Sequence, residues 1–153
     1  MTDQYETMRS FIQTYIDDHH EFLSWLGVRV ESVSEGSITF SIPYDEKLTN
    51  TRPDAPERRA EMQGGVAATL IDTAGGMALR TVMDDPINMD SATINLNVNY
   101  LRPALDDLTA TAEVVRLGSS VGVTDVIVES ETPDGETKAV ASGQGAFRIF
   151  GPE

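Results

Sequence analysis

Residues 62–78 read MQGGVAATLIDTAGGMA, and this stretch decides the fold. Small and apolar side chains fill most positions from 64 to 82, on every side of a helix drawn through them. Asp72 is the one charged residue within the quoted stretch. A helix that is apolar on nearly all sides is buried in a folded domain. We therefore predict that residues 64–82 form a central helix that the rest of the chain covers.

Strand-like segments lie on both sides of this helix. Alternating apolar residues and turn signals predict six strands, over residues 28–34, 37–42, 92–101, 108–117, 121–131 and 137–150. Two strands before a helix and a run of strands after it favour an antiparallel sheet with the helix on one face. We expect an α+β domain in which the sheet curls around the central helix.

The remaining segments complete a single domain. Residues 1–21 hold an extra N-terminal helix, predicted over 2–20 from apolar residues at three- and four-residue spacing. Residues 43–62 show no periodicity and predict a loop, and loops of this length are usually functional or mobile. Because the length suits one domain, we expect residues 1–153 to form one unit with its core in 22–150.

The composition excludes several classes of function. The formal net charge is −14, from 25 acidic and 11 basic residues, and such a surface repels nucleic acid. The acidity serves either solubility alone or life at high salt, and the presence of only two lysines, Lys47 and Lys138, favours a halophile. The absence of cysteine excludes disulfides, thiolate metal sites and a cysteine nucleophile.

No segment of the sequence indicates export, a membrane or a metal. The first residues lack a signal peptide's basic start and apolar run, and no apolar stretch approaches the ~20 residues that cross a bilayer. We expect a cytoplasmic protein. His19 and His20 lie far from any carboxylate cluster in the sequence, which favours a surface role, and no spacing matches a zinc or di-metal site. We expect no metal and no other cofactor.

Two features of the central helix point to chemistry. Gly64-Gly65 opens the helix, where free N–H groups without Cβ atoms let a ligand oxygen approach and form an oxyanion site, although a glycine pair can also be only a turn. Asp72 lies among apolar residues, where an unpaired carboxylate is costly. It is either a general base or nucleophile, or a residue on a solvated edge or paired with Arg80.

The spacing of these two features predicts a shared site. Gly64 and Asp72 are eight residues apart, ~12 Å along a helix. One subunit cannot bring both groups to one carbonyl carbon, whereas two antiparallel copies of the helix can. If the two groups act together, the site lies across a two-fold dimer. Gly75-Gly76 either lets two such helices approach closely or makes room for core side chains.

The helix and the strand after it resemble a known family. The segment Gln63-Gly64-Gly65-x4-Leu70-x-Asp72-x3-Gly76-x-Ala78 resembles the helix signature of hotdog-fold acyl-CoA thioesterases of the phenylacetic-acid-degradation (PaaI-like) type. Residues 93–104, TINLNVNYLRPA, are similar to the central strand of that family, and the resemblance covers about residues 22–149. It implies a hotdog fold, hydrolysis of a small, medium-length or aryl acyl-CoA to acid and CoA, and a homodimer that we expect to assemble into a homotetramer.

The resemblance also implies roles for single residues. Asp72 would attack the thioester or activate water, and the Gly64 N–H would polarise the thioester carbonyl. Asn50 would contact the substrate near the carbonyl, and Thr93 would position the water. The family usually has His where this chain has Gln63, which can hold the glycine turn by hydrogen bonds but cannot carry a positive charge.

Further candidates concern the CoA portion of the substrate. Gly65 is expected to contact the substrate beside the oxyanion site. Arg102 and the turn over residues 116–120, above all Gly118 and Ser119, are candidates for the CoA phosphates, because a similar turn lies near CoA in the resembling family. The alternative for the turn is a solvated strand end. Three helix residues are candidates for the acyl pocket or simply for the core: Leu70, Met77 and Leu79.

Strand parity argues against one of these roles. Thr93 shares parity with Asn95, not with the apolar Ile94 and Leu96, so it faces away from the helix unless a bulge intervenes.

Two other functions stay open. A hotdog dimer with Gln63 in place of His could hold acyl-CoA without turnover. A hydratase or dehydratase commonly needs an Asp-His pair, for which His19 and His20 are badly placed.

Overall fold

A computed structural model describes residues 2–151 of the chain. Its helices are α1 (Thr2–His19), α2 (Glu21–Leu26) and α3 (Gly64–Arg80), with a 3-10 turn at Glu46–Leu48. Its strands are β1 (Arg29–Ser34), β2 (Ser37–Ile42), β3 (Asp90–Tyr100), β4 (Leu108–Leu117), β5 (Val121–Glu131) and β6 (Thr137–Phe150). Within these residues, no helix is long and apolar enough to span a membrane.

The six strands form one antiparallel sheet around α3. Their order across the sheet is β1-β2-β4-β5-β6-β3. α3 lies against the sheet and contacts every strand from β2 to β6. The predicted architecture, a curled antiparallel sheet with a buried central helix and an extra N-terminal helix, is confirmed.

The core fills the space between α3 and the inner face of the sheet. Ile16 of α1 is fully buried, and the other large apolar side chains that are fully buried come from α3 and from four strands: Leu70, Ile71, Leu79, Ile38, Phe40, Ile42, Leu108, Val126, Val128 and Phe147. Leu70 and Leu79 have no exposed surface, so their proposed place in an acyl pocket is wrong. Met77 is half-buried and packs against the core.

The glycine pair inside α3 has a packing role. A Cβ on Gly75 would lie 2.6 Å from the Thr124 hydroxyl oxygen, and one on Gly76 would lie 3.2 Å from the Phe147 ring. Real Cβ atoms do not approach a neighbour as closely as the first distance, so Gly75 is needed to admit the β5 side chain. Of the two explanations for Gly75-Gly76, room for core side chains is the one that the structure supports.

Helix α1 covers one edge of the sheet. The Gln13 amide accepts from the Val30 N–H at 2.7 Å and donates to the Val28 carbonyl at 3.2 Å, in the way a neighbouring strand would. The Arg9 guanidinium also donates to the Val30 carbonyl. Unpaired edge groups invite another strand. Because α1 occupies the β1 edge, β3 is the open edge of the sheet.

The apolar stripe predicted for α1 is only half correct. Ile12 and Ile16 are buried, but Phe11 and Tyr15 are exposed, Phe11 by 64 %. The face of α1 that packs on the sheet is therefore narrower than the distribution of its apolar residues predicts.

Three predicted boundaries need correction. α3 ends at Arg80 instead of 82, because the Thr81 hydroxyl bonds the Ala78 carbonyl and accepts from the Gly36 N–H. β3 begins at Asp90, two residues earlier than predicted. The loop over 43–62 holds the 3-10 turn and a β-bridge from Thr49 to Met62, so its ends are ordered.

Candidate active site

The start of α3 presents a free backbone amide. Gln63 is the N-cap residue, and its side-chain oxygen accepts from the Gly65 N–H. The Gly64 N–H has no acceptor among residues 2–151. Such orphan N–H groups at a helix start, together with the helix dipole, attract anionic oxygen. Gln63 therefore caps the helix through the Gly65 N–H, and the Gly64 N–H stays free for a ligand.

Tyr100, near the end of β3, holds the glycine turn in place. Its hydroxyl donates to the Gly64 carbonyl at 2.8 Å. Its ring lies close enough that a Cβ on Gly64 would be 3.0 Å from it. A side chain at this position would therefore push the ring aside. Tyr100 was missed in the sequence, where it looks like an ordinary strand aromatic.

The free amide opens into a cleft of about 390 Å³, here called the amide cleft, whose lining includes Asn50, Gln63, Gly64, Tyr100 and Arg102. The structure therefore brings together four residues that the sequence singled out separately. The Arg102 guanidinium donates to the Ala139 carbonyl at 2.8 Å, which ties the head of this side chain to β6.

Asn50 reaches this cleft because the long loop is closed at its base. The Asn50 N–H donates to the Glu61 carbonyl at 2.9 Å, and the Gln63 N–H donates to the Leu48 carbonyl at 2.8 Å. Most of the intervening residues 51–60 are exposed. The length of the loop consequently does not displace Asn50 from the start of α3.

Asp72 lies in a second cleft, paired with Thr93. The Thr93 hydroxyl donates to Asp72 Oδ1 at 2.6 Å. This contact exists because β3 has a bulge: Thr93 is opposite Phe147 and Asn95 is opposite Ala146, so Ile94 is an extra residue. The bulge that parity required is present, and Thr93 faces α3. The pairing of Asp72 with Arg80 is wrong, because Arg80 bonds Asp90 and two carbonyls in residues 86–89.

The cleft around Asp72, here called the carboxylate cleft, has a volume of about 330 Å³. It lies between α2, α3 and β3, and its lining is His20, Phe22, Leu23, Ala68, Thr69, Asp72, Thr73 and Leu96. The sequence favours a surface role for His20, and the structure places it in the lining of the cleft that also holds Asp72. α2 folds back over α3 and carries its N-cap histidine to the cleft that holds Asp72.

Two of the predicted substrate contacts lie elsewhere in the subunit. Gly118 and Ser119 form the turn between β4 and β5 and line neither cleft. The neighbouring Gly122 packs on Leu79, near the C-terminal end of α3 and away from Gly64. Gly65 is exposed at the start of α3, but its N–H is already bonded to Gln63. Contact of these residues with CoA stays a prediction.

Comparison with known proteins identifies the family. The sequence profile described as “Thioesterase superfamily” matches residues 62–136, which include α3 and the strands after it. Two relatives are both named “Putative esterase”. The one from Halobacterium salinarum is 51% identical over 92% of this chain and 91% of its own length. The one from Saccharolobus solfataricus is 32% identical over 85% and 84%.

The chain belongs to the thioesterase superfamily. Solved structures agree on the fold. A thioesterase family protein from Silicibacter pomeroyi superposes with a TM-score of 0.78 at 23% identity, covering 94% of this chain and 98% of that one. A thioesterase from Haemophilus influenzae gives 0.75 at 19% identity, covering 94% and 90%. This thioesterase-superfamily chain therefore has the hotdog fold.

Proposed function

We propose that the protein hydrolyses the thioester of an acyl-CoA, with Asp72 as general base or nucleophile and the Gly64 N–H as oxyanion donor. The proposal is supported by the presence of two groups that thioester hydrolysis needs, a free backbone amide and a positioned carboxylate. A free amide at a helix start stabilises the negative charge that develops on a thioester oxygen under attack. A positioned carboxylate activates water or attacks the carbonyl itself. The resemblance to PaaI-like thioesterases assigns the same two roles.

The observation that carries the proposal is the layout of the open strand β3. Thr93, bonded to Asp72, and Tyr100, bonded to Gly64, face the same side of this strand. They are seven residues apart, roughly 20 Å along a strand, so one subunit keeps the carboxylate and the amide separate. Neither cleft of a single subunit contains both groups.

A second copy of the chain would join the two groups. If two β3 strands pair antiparallel about Asn97, with Ile94 as the extra residue of the bulge, Thr93 of one subunit lies opposite Tyr100 of the other. The amide cleft of one subunit then adjoins the carboxylate cleft of its partner, and the dimer has two equal sites. The free β3 edge and the covered β1 edge leave this strand as the place where sheets can join. Asn95, Asn97 and Asn99 could then support the homotetramer that we expect.

The two clefts suit different parts of the substrate. The amide cleft contains Arg102 at its rim, so the CoA arm with its phosphates is assigned to this side. Asn50 in the same cleft offers a side-chain amide near the carbonyl. Gln63 substitutes for the family's histidine by capping α3 without needing a charge. Gly118 and Ser119 complete the proposed phosphate contacts only if the partner subunit brings them near this cleft.

The direct test is release of thiol from acyl-CoA. The chain contains no cysteine, so a thiol-reactive dye reports only the CoA that is set free. We expect turnover of small, medium-length or aryl acyl-CoA and slower hydrolysis of the oxygen ester of the same acid. Binding of acyl-CoA without any thiol release would contradict the proposal and establish the alternative, a non-catalytic acyl-CoA-binding protein.

Salt dependence provides a second test, which rests on charge. A subunit of net charge −14 repels anionic CoA, and the Debye length falls from ~10 Å at 0.1 M salt to ~3 Å at 1 M. We expect KM for acyl-CoA to fall as KCl rises over this range. An uncharged N-acetylcysteamine thioester of the same acid is the control, and its KM should change little. Activity that declines steadily with added salt would contradict the halophilic interpretation.

A further inference from the structure

The carboxylate cleft holds a histidine that the proposed reaction does not use. His20 caps α2, and its Nδ1 accepts from the Leu23 N–H at 3.2 Å. A neutral imidazole that accepts at Nδ1 carries its hydrogen at Nε2. Nε2 has no hydrogen-bond partner in the described part of the chain, and the ring lines the cleft. The helix cap therefore fixes a ring with one unused donor in the cleft that also holds Asp72.

The other polar groups of this cleft are mostly engaged. The Thr69 hydroxyl donates to the Gly65 carbonyl, and Asp72 accepts from Thr93. The hydroxyl of Thr73 is the remaining donor of the lining. Most other lining side chains are apolar, with Phe22 53 % exposed at the mouth.

This lining fits an acyl group and not the CoA nucleotide. No lysine or arginine lines the cleft, so it offers phosphates no cationic partner. Its volume of about 330 Å³ is enough for a small or medium acyl group. Asp72 is part of the lining, and the reacting carbonyl would lie next to it. The acyl chain would extend from there towards α2.

We propose that the carboxylate cleft is the acyl pocket and that His20 is a specificity-determining residue, donating from Nε2 to an oxygen carried by the acyl group. The inference rests on the proposed thioesterase function. It assigns the substrate class as acyl groups with a hydroxyl, keto or carboxylate oxygen beyond the thioester, in preference to plain hydrocarbons. When a hydrocarbon acyl group binds, the His20 N–H loses its contact with water and gains no new acceptor, which disfavours binding of that substrate.

The test compares acyl-CoA pairs that differ by one oxygen, such as butanoyl with 3-hydroxybutanoyl and benzoyl with its three hydroxybenzoyl isomers. For the wild type we expect kcat/KM for at least one oxygenated member to exceed that of its partner about five- to tenfold, the value of one net hydrogen bond. His20→Asn keeps a side-chain acceptor for the α2 cap but has no group at the Nε2 position. It should bring the ratio close to one, because only the oxygenated substrate loses a hydrogen bond.

Two matched variants separate His20 from its neighbours. His19→Asn changes the adjacent exposed histidine and should keep the wild-type ratio. Thr73→Val removes the rival donor and should also keep it. If His20→Asn does not fold, as judged by circular dichroism, His20→Ser replaces it, because Ser is also a preferred N-cap residue and has no group at the Nε2 position.

Several outcomes would overturn the assignment of His20. These are a wild type without preference for any oxygenated acyl group, a ratio that survives His20→Asn, a ratio lost in Thr73→Val, or an equal loss on both substrates of a pair. Failure of the proposed function looks different, because the wild type would then release no thiol from any acyl-CoA.

Discussion

Replacing Asp72 by Asn should lower kcat for acyl-CoA hydrolysis by about three orders of magnitude, within the range attributed to a positioned general base. Asn has the shape of Asp and keeps an oxygen that can accept the Thr93 hydroxyl, so the cleft should stay intact. The amide can neither take a proton from water nor attack a carbonyl. The rate therefore falls because the chemistry is lost, while the binding surface is preserved.

The measurement combines thiol release with binding of a non-hydrolysable acyl-CoA analogue by calorimetry. We expect the Kd of Asp72→Asn to stay within about threefold of the wild-type value, because Asn keeps the shape of the binding surface. A threefold change in Kd corresponds to ~0.6 kcal/mol of binding free energy. Asp125→Asn is the matched control: it removes the same charge from an exposed carboxylate that is bonded to Gln144 on β6. A variant at position 72 that keeps a tenth or more of wild-type kcat would exclude this carboxylate as base or nucleophile.

Replacing Gly64 by Pro should lower kcat by about 10²- to 10³-fold, the usual effect of removing one oxyanion donor. Gly64 is the first residue of α3, where proline is tolerated, and Gln63 has φ −64° and ψ 133°, a conformation that suits a residue before proline. Proline removes the one N–H that the proposal uses. Gly64→Ala keeps that N–H and adds a Cβ against Tyr100, so it is the matched control. Activity of Gly64→Pro close to that of the wild type would show that the amide is not used.

The same variant tests whether the site is shared between subunits. A mixed dimer of Gly64→Pro and Asp72→Asn chains contains one intact site, formed by the unchanged residue of each chain. Random mixing of equal amounts makes half of the dimers mixed, so about a quarter of the wild-type activity should return. Each variant alone should stay inactive. If differently tagged chains demonstrably pair and no activity returns, each site lies within one chain.

The prediction from the sequence was strongest where a pattern is local. The all-round apolar character of residues 64–82 was enough to place α3 inside the sheet, because burial of so much apolar surface leaves no other position. Asp72 stood out for the same reason, since a carboxylate in that helix needs a partner or a function. The glycine pair at the helix start pointed to the oxyanion site.

The sequence did not predict features that depend on contacts between distant segments, such as the direction in which Thr93 faces. Strand parity placed Thr93 on the wrong face unless a bulge was present, and Ile94 looks like any other strand residue. Pairing with β6 determines that Ile94 is the extra residue. The closure of the long loop, which returns Asn50 to the start of α3, likewise depends on a bridge between Thr49 and Met62.

By itself, the sequence determined the central helix, the strands that precede and follow it in the chain, the acidic surface and the two groups proposed for chemistry, because each follows from residues close together in the chain. Only the tertiary structure decided that Thr93 bonds Asp72, that Tyr100 holds Gly64, and that His20 shares a cleft with the carboxylate. These contacts join segments 21, 36 and about 50 residues apart, and no local propensity specifies them. They exist because β3 and α2 must pack on α3 to bury its apolar surface.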